Sequence, residues 1–296
     1  MKKWIFLVGI LVSSIDAFAS VKFATYNIRH FDSSHSQTNK FELKKILNKL
    51  DANFLTVQEI VNTASFESFF KKNYPDYQVV FSRCGGGGKQ KIGFAFDRNK
   101  FQLTRLYEDA RLSDPSTSGE FGCGRLRPAL VGEFKHKEDG ERFVVIGVHL
   151  KAGGRPSSYQ TRTKQYSLLS QMVKELELQG HQNVLLMGDF NTTGFNLNDV
   201  DFRNFSDMLV DMKMKSVAEG IKCTSYWAGE NRNDDIEESS VLDHILYPSR
   251  FMGMRMDSFG VHSHCQKMRC ANTSARNLGI SYQEVTDHCP VSLTFK

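Results

Sequence analysis

The 296-residue chain carries 38 Lys and Arg against 33 Asp and Glu, a formal net charge of +5, with 40% hydrophobic and 24% charged residues. That balance, with a negative mean hydropathy, excludes a disordered or fibrous chain and a protein that crosses a membrane many times. The length suits one large domain, and a mildly basic chain is compatible with a polyanionic partner without requiring one.

Residues 1–20 open with Lys2 and Lys3, run through the apolar stretch 4–12 and close on Ala17-Phe18-Ala19-Ser20. A basic start, a short apolar run and a small-x-small exit predict a secretory signal peptide cleaved after Ala19. The run is too short to span a bilayer comfortably, and Asp16 interrupts it. The expectation is a secreted or periplasmic protein with one domain over residues 20–296. Residues 21–26 then alternate apolar and polar, the period of a strand. Leu43, Ile46, Leu47 and Leu50 recur at helical spacing and predict an amphipathic helix over 39–50, followed by a short buried strand over 54–57. Residues 77–82 and 92–96 read as strands flanking the glycine-rich stretch, and 142–150 as a strongly apolar strand. The clearest helix follows, with Leu169, Met172, Val173 and Leu176 on one face, Ser157 or Ser158 as cap and Gly180 as stop. Further strands are expected over 183–187, 242–247, 254–260 and 290–295, and the acidic stretch 234–238 reads as a solvated excursion. Helices interleaved with strands, undivided by any repeat or linker, predict a layered α/β domain.

Six cysteines, Cys84, Cys123, Cys223, Cys265, Cys270 and Cys289, all follow the signal segment. An even count in an exported chain favours disulfides. Cys265 and Cys270 are close enough for a local loop, and Cys84 and Cys123, each in a glycine-containing stretch, are a second candidate pair; spacing fixes neither. The rival reading, zinc held by His262, His264, Cys265 and Cys270, fits no common zinc ribbon or finger.

Several strands end in polar residues that a core does not need: Asn27, Gln58-Glu59, His149, Asp189-Phe190-Asn191, Asp243-His244 and Asp287-His288. Any one of these is an ordinary cap or turn residue. Six in one chain point to a shared sheet edge, where α/β proteins bind ligands. Asn27, Glu59, Asp189, Asn191 and Asp287 supply hard oxygen atoms, suited to magnesium, manganese or calcium rather than zinc. His149 and His288 can move protons near neutral pH, a carboxylate can orient them, and Arg127 and Lys151 can contact an anion. Together these describe hydrolysis of a phosphate ester. A P-loop and a Gly-x-Ser-x-Gly elbow are both missing from the sequence, which argues against an NTPase and an esterase.

In this order, Tyr26-Asn27, Gln58-Glu59, Arg127-Pro128, His149-Leu150-Lys151, Gly188-Asp189-Phe190-Asn191, Leu242-Asp243-His244-Ile245 and Asp287-His288-Cys289-Pro290 resemble the endonuclease/exonuclease/phosphatase superfamily, in its deoxyribonuclease I-like branch. The resemblance implies an α/β four-layer sandwich of two packed mixed β-sheets flanked by helices. It implies metal-dependent phosphoester hydrolysis with Mg2+, with Mn2+ as an alternative and Ca2+ at a separate structural site. By position, Glu59 looks like the principal metal ligand, with Asn27 and Asp287 beside it. His288 resembles the general base held by Asp243, and Asp189 and Asn191 the pair that positions nucleophile, phosphate and metal. His149 is similar to the second active-site histidine, and Arg127 to a phosphate contact. Gln90 stands nearest to the branch's glutamate support for that histidine; an amide can bond an imidazole but cannot stabilise its cation by charge.

Lys89, Lys91, Arg125, Arg127, Lys151 and Arg155 near these motifs favour nucleic acid as substrate, bound through its phosphates with little base specificity. The expectation is a monomeric secreted nuclease, acting on DNA before RNA, with no stable membrane association. A secreted sphingomyelinase-type phosphodiesterase is the runner-up and would need an exposed aromatic hairpin, whereas Tyr226 and Trp227 read as core or groove wall. A small-molecule phosphatase and a catalytically silent binding module are further alternatives; the presence of Glu59, Asp189, Asp243 and His288 argues against the last.

Overall fold

Period-two alternation along the strands sets the architecture, because it gives every strand one face for a partner sheet and one for a helix layer. The computed structural model describes residues 20–113, 123–195, 199–229 and 234–296; the expected signal segment lies outside them. In chain order the elements are β1 (Val21–Phe31), α1 (Lys40–Leu50), β2 (Phe54–Ile60), α2 (Thr63–Asn73), β3 (Tyr77–Phe81), β4 (Lys91–Asp97), β5 (Phe101–Asp109), β6 (Ala129–His136) and β7 (Arg142–His149). There follow α3 (Pro156–Leu178), β8 (Val184–Asp189), α4 (Val200–Met212), β9 (Lys215–Ser216), β10 (Ser225–Trp227), β11 (Ile236–Ser240) and β12 (Asp243–Tyr247). The chain closes with β13 (Met256–Val261), α5 (Ser263–Met268), β14 (Thr273–Ser274), α6 (Ala275–Leu278) and β15 (Val291–Phe295).

One six-stranded sheet runs β13-β15-β1-β2-β4-β3 and the other β5-β6-β7-β8-β12-β9. Each is mixed: β1 lies parallel to β2 and β7 parallel to β8, amid antiparallel neighbours. The inner faces meet over Val21, Phe23, Phe54, Phe94, Phe143, Val145, Leu185, Met187, Ile245 and Leu293, all buried in one cluster. The alternate residues face outward. Ala24, Tyr26, Leu55 and Val57 pack under α1 and α2, and Val144, Ile146, Val148, Val184 and Leu186 under α3 and α4. These are the four layers that the motif order implied.

The helix over 39–50 forms as expected, with Asn39 as N-cap accepting from the backbone N–H groups of Phe41 and Glu42. The expected caps of α3 are corrected. Pro156 is the first helical residue, whose fixed φ and missing N–H suit that place, so Arg155 takes the N-cap position and Ser157 and Ser158 fall inside the first turn. The acidic stretch 234–238 is also more than an excursion: β11 pairs with β10 and β14 in a small third sheet.

Three disulfides join Cys84 to Cys123, Cys223 to Cys270 and Cys265 to Cys289. The first is the expected pair; the local Cys265–Cys270 loop is not formed. Arg269 and Cys270 both have left-handed backbone just after α5, which turns the chain and sends Cys270 toward Cys223, while Cys265 faces Cys289. With every one of these thiols bonded, the His262, His264, Cys265 and Cys270 zinc reading falls too.

Candidate active site

Four of the predicted residues are inward-facing positions at the same end of the inter-sheet space. On β1 the inner face reads Val21, Phe23, Thr25, Asn27; on β7 it ends in His149, on β8 in Asp189, and on β12 it begins with Asp243. Register aligns them: His149 lies opposite Asp189, and Asp189 opposite Asp243, so three neighbouring strands present one row. Asn27 completes it from the facing sheet, its Nδ2 donating to Asp189 Oδ2 at 3.0 Å and Glu59 Oε1 at 3.2 Å.

Glu59 breaks the alternation. Leu55 and Val57 face the helix layer, and strict period two would send residue 59 the same way. A left-handed backbone at Glu59 (φ 63°) and register shifts on both sides of β2 re-aim its carboxylate at Asn27. Gly188 has a comparable local cause. Its φ of 151° and the approach of the Val148 carbonyl, 2.0 Å from where a Cβ would stand, leave no room for a side chain beside Asp189.

His288 arrives from the segment before β15. Its Nδ1 is 2.8 Å from Asp243 Oδ2 and its Nε2 3.9 Å from Asp189 Oδ2. Ser225 at the head of β10 bridges to His288, and Thr224 Oγ1 accepts the N–H of Asp243 at 2.9 Å, so one short segment braces both partners. Burial disfavours the imidazolium of His288, but Asp243, Asp189 and Asp287 outweigh it and raise its pKa well above the usual histidine value. His149 goes the other way. Burial, then Arg127, His288 and His30, hold it far below that value, and its Nε2 lies 3.5 Å from Asp189 Oδ2 and 3.8 Å from Glu59 Oε1. Asp189 is pushed up to about 7, chiefly by burial and with Asp243 adding, although His288, the Asn191 N–H and Asn27 pull it down.

The other predicted residues divide. Asn191, left-handed at φ 51°, donates its backbone N–H to Asp189 Oδ1 at 2.8 Å and its Nδ2 to the Leu150 carbonyl at 3.3 Å. Asp287 sits at the rim, its Oδ1 3.9 Å from Arg29 Nε and accepting from Thr286 Oγ1 at 3.3 Å. Arg127 spends two donors inward, on the carbonyls of His149 (3.1 Å) and Leu150 (2.6 Å), and so braces the backbone of the second histidine. Lys151 Nζ caps the Ala152 carbonyl at 2.6 Å. Gln90 does not support His149: the Nδ1 of that ring is buried without a hydrogen-bond partner, and the Gln90 side chain lies against Gly88 in its own turn.

Sequence reasoning missed His30. Its Nε2 lies 3.7 Å and its N–H 3.1 Å from Glu59 Oε2, and its side chain is half exposed at the mouth. The signal was its place three residues after Asn27, on a strand already singled out. Of the two aromatics on β10, Tyr226 is core as expected, whereas Trp227 is 43% exposed.

Asn27 Oδ1 is buried with no hydrogen-bond partner, beside the Glu59 carboxylate. An orphan amide oxygen next to a carboxylate fits a hard divalent cation. A second group, Asp189, Asp243 and His288, brings its ligand atoms within 4.8 Å of one another. There His288 is already committed to Asp243, so the Asn27–Glu59 side is the better match.

Residues 24–257 match the Endonuclease/Exonuclease/phosphatase family. The chain belongs to that family. Family members are phosphoester hydrolases, and the chain is an enzyme of that class. No curated protein sequence matches it. Solved structures share the fold: D. rerio TDP2 complexed with single strand DNA product is 15% identical, with a TM-score of 0.64 and coverage of 94% of this chain and 99% of that one. The human Nocturnin catalytic domain with bound sulfate is 16% identical (TM-score 0.62; 94% of each chain). A mannosyl-6-phosphatase from Bacteroides thetaiotaomicron is 19% identical (TM-score 0.61; 93% of this chain and 99% of that one).

Proposed function

We propose that this enzyme is a secreted, metal-dependent phosphodiesterase whose substrate is DNA, cut without base specificity. The observation that carries the reading is the pair of histidines on one Asp189 oxygen, at 3.5 and 3.9 Å, with opposite proton affinities. In its neutral form His288, fixed by Asp243, takes the proton of the attacking water, and the carboxylates that raise its proton affinity stabilise the imidazolium that forms. Neutral His149 contacts the phosphate or leaving oxygen, and Asn191 and Asp189 orient water and phosphate between the rings. Asn27, Glu59 and Asp287 would hold a divalent cation, Mg2+ first and Mn2+ as the alternative. Such an ion, when bound, supplies positive charge to the phosphate oxygens.

Several features favour a polyanion. The loop with exposed Lys89 is tied to the one carrying exposed Arg125 by the Cys84–Cys123 disulfide and by the Gly87 N–H to the Arg125 carbonyl at 3.0 Å, which keeps these two cation-bearing loops together. The similar TDP2 structure holds a single strand DNA product. Three disulfides are compatible with an exported protein, and among the described residues no helix is long and apolar enough to cross a membrane.

The test offers supercoiled DNA, RNA and sphingomyelin in parallel to the purified protein with magnesium, beside His288→Ala. DNA is nicked by the wild type, and EDTA or the substitution abolishes nicking. Sphingomyelin turnover without nicking overturns the nuclease reading.

A further inference from the structure

Arg162, in the second turn of α3, is the largest fully buried side chain among the described residues. It reaches no predicted site residue's side chain, yet its donors run to both loops that leave the catalytic row. NH1 donates to the carbonyls of Lys151 (2.6 Å) and Gly153 (2.9 Å), on the loop after His149. Nε and NH2 grip Asp201 in the first turn of α4, at 3.0 and 2.7 Å. Asp201 in turn accepts the N–H of Thr193 at 2.8 Å, on the loop after Asp189 and Asn191.

Its neighbours on α3 share the task. Gln165 Oε1 accepts the Lys151 N–H at 3.0 Å, and the Tyr166 hydroxyl is 2.7 Å from Thr192 Oγ1. Together with Arg127, Asn191 and Lys151, this leaves every carbonyl from residue 149 to residue 153 held by a side-chain donor. A stretch of backbone with each acceptor satisfied in one direction has little freedom left.

We infer that Arg162 is a positioning residue for phosphoester hydrolysis, fixing from beneath the sheet edge the spacing between the loop after His149 and the loop that carries Asn191. Its planar fork can serve Asp201 and two carbonyls at once, which an ammonium cannot. The inference rests on the active-site reading above, because it assigns the loops their importance.

Arg162→Lys keeps the charge opposite Asp201 and breaks the fork, so it separates positioning from folding. Kinetics on a fluorogenic oligonucleotide, with bis(4-nitrophenyl) phosphate as a small second substrate, give the readout. A displacement of catalytic groups by about 1 Å costs on the order of 100-fold in rate. The expected result is therefore kcat lower by about 100-fold with KM changed less than about threefold. Circular dichroism stays native, and guanidinium added to Arg162→Ala restores part of kcat. Lys174→Met, which removes the exposed α3–α4 ion pair to Asp211, is the control and leaves kcat unchanged. Arg162→Lys with wild-type kcat, or a loss only in proportion to the unfolded fraction, overturns the inference. A wild type inert on both substrates overturns the active-site reading instead.

Discussion

The two ends of the space between the sheets are built from the same strands and do opposite things. At one end β1, β2 and β7 contribute Phe23, Phe54 and Phe143, which with Phe101, Phe134, Phe251 and Phe295 form a continuous aromatic cluster. At the other end the inward rows of β1, β7 and β8 finish in Asn27, His149 and Asp189, joined by the re-aimed Glu59 of β2, and buried polar atoms such as Asn27 Oδ1 and Asp243 Oδ1 have no partner. The apolar end supplies stability through area and packing. The polar end gives up stability for a cluster of oxygens and imidazoles that only a ligand would complete. Fold and chemistry are thus separable along one set of strands.

Substitutions at the two ends would sharpen that contrast. Glu59→Gln keeps shape and removes one charge from the cluster. It is expected to lower phosphoester hydrolysis by about 1000-fold or more while leaving Tm unchanged or slightly raised, and Mg2+ should raise the Tm of the wild type but not of the variant. Retained activity in a discontinuous assay would mean that the cation lies elsewhere. Phe54→Ala at the other end should do the reverse, costing about 3–5 kcal/mol of stability in urea unfolding with kcat per folded molecule unchanged. A variant as stable as the wild type would break the division.

The Cys265–Cys289 bond, with 24 residues of separation, abuts His288 and packs in a separate small cluster with Cys223, Tyr226 and Leu278, so it tests stability and site together. Replacing both cysteines by serine should cost about 3 kcal/mol and also lower kcat, since His288 loses its anchored neighbour. A drop in Tm with kcat intact would assign the bond to folding alone. The smallest effect concerns protons. His244 points from β12 into Phe190, Phe195 and Phe205, and burial holds it down to about 3, while His262 is held to about 4 by burial, with Lys22 and Lys49 adding. Both are neutral in the fold, so their contribution is full above pH 6.5 and is lost as pH falls toward 4. At pH 5 the loss is about 2 kcal/mol for each ring. A Tm that declines between pH 7 and 5, less steeply in His244→Gln, is expected; equal slopes would refute the assignment.

Most of the row of polar residues at the candidate site was legible in the sequence because the period of a strand and the chemistry of its last residue are both local. Val144-Val145-Ile146-Gly147-Val148 followed by His149 states a buried strand and its polar exit in one stretch. Long-range choices were not legible. Nothing near Cys265 distinguishes Cys270 from Cys289 until α5 has ended in two left-handed residues. Nothing near Gln90 shows that its side chain leaves the His149 ring unbonded, and nothing near Arg127 tells that the backbone, before any phosphate, takes two of its donors. Some signals were present and unused. Phe66, Phe69 and Phe70 mark α2 at helical spacing, and Asp199 two residues before Asp201 caps α4.

The pairing of β1 with β15, Val21 opposite Phe295, has a consequence for biosynthesis. Asn27 and Glu59 leave the ribosome long before Asp287 and His288, so a growing chain holds two of the three proposed ion ligands well before it holds the third and the proposed base. The nuclease proposed here would stay silent until β15 has slotted in beside β1.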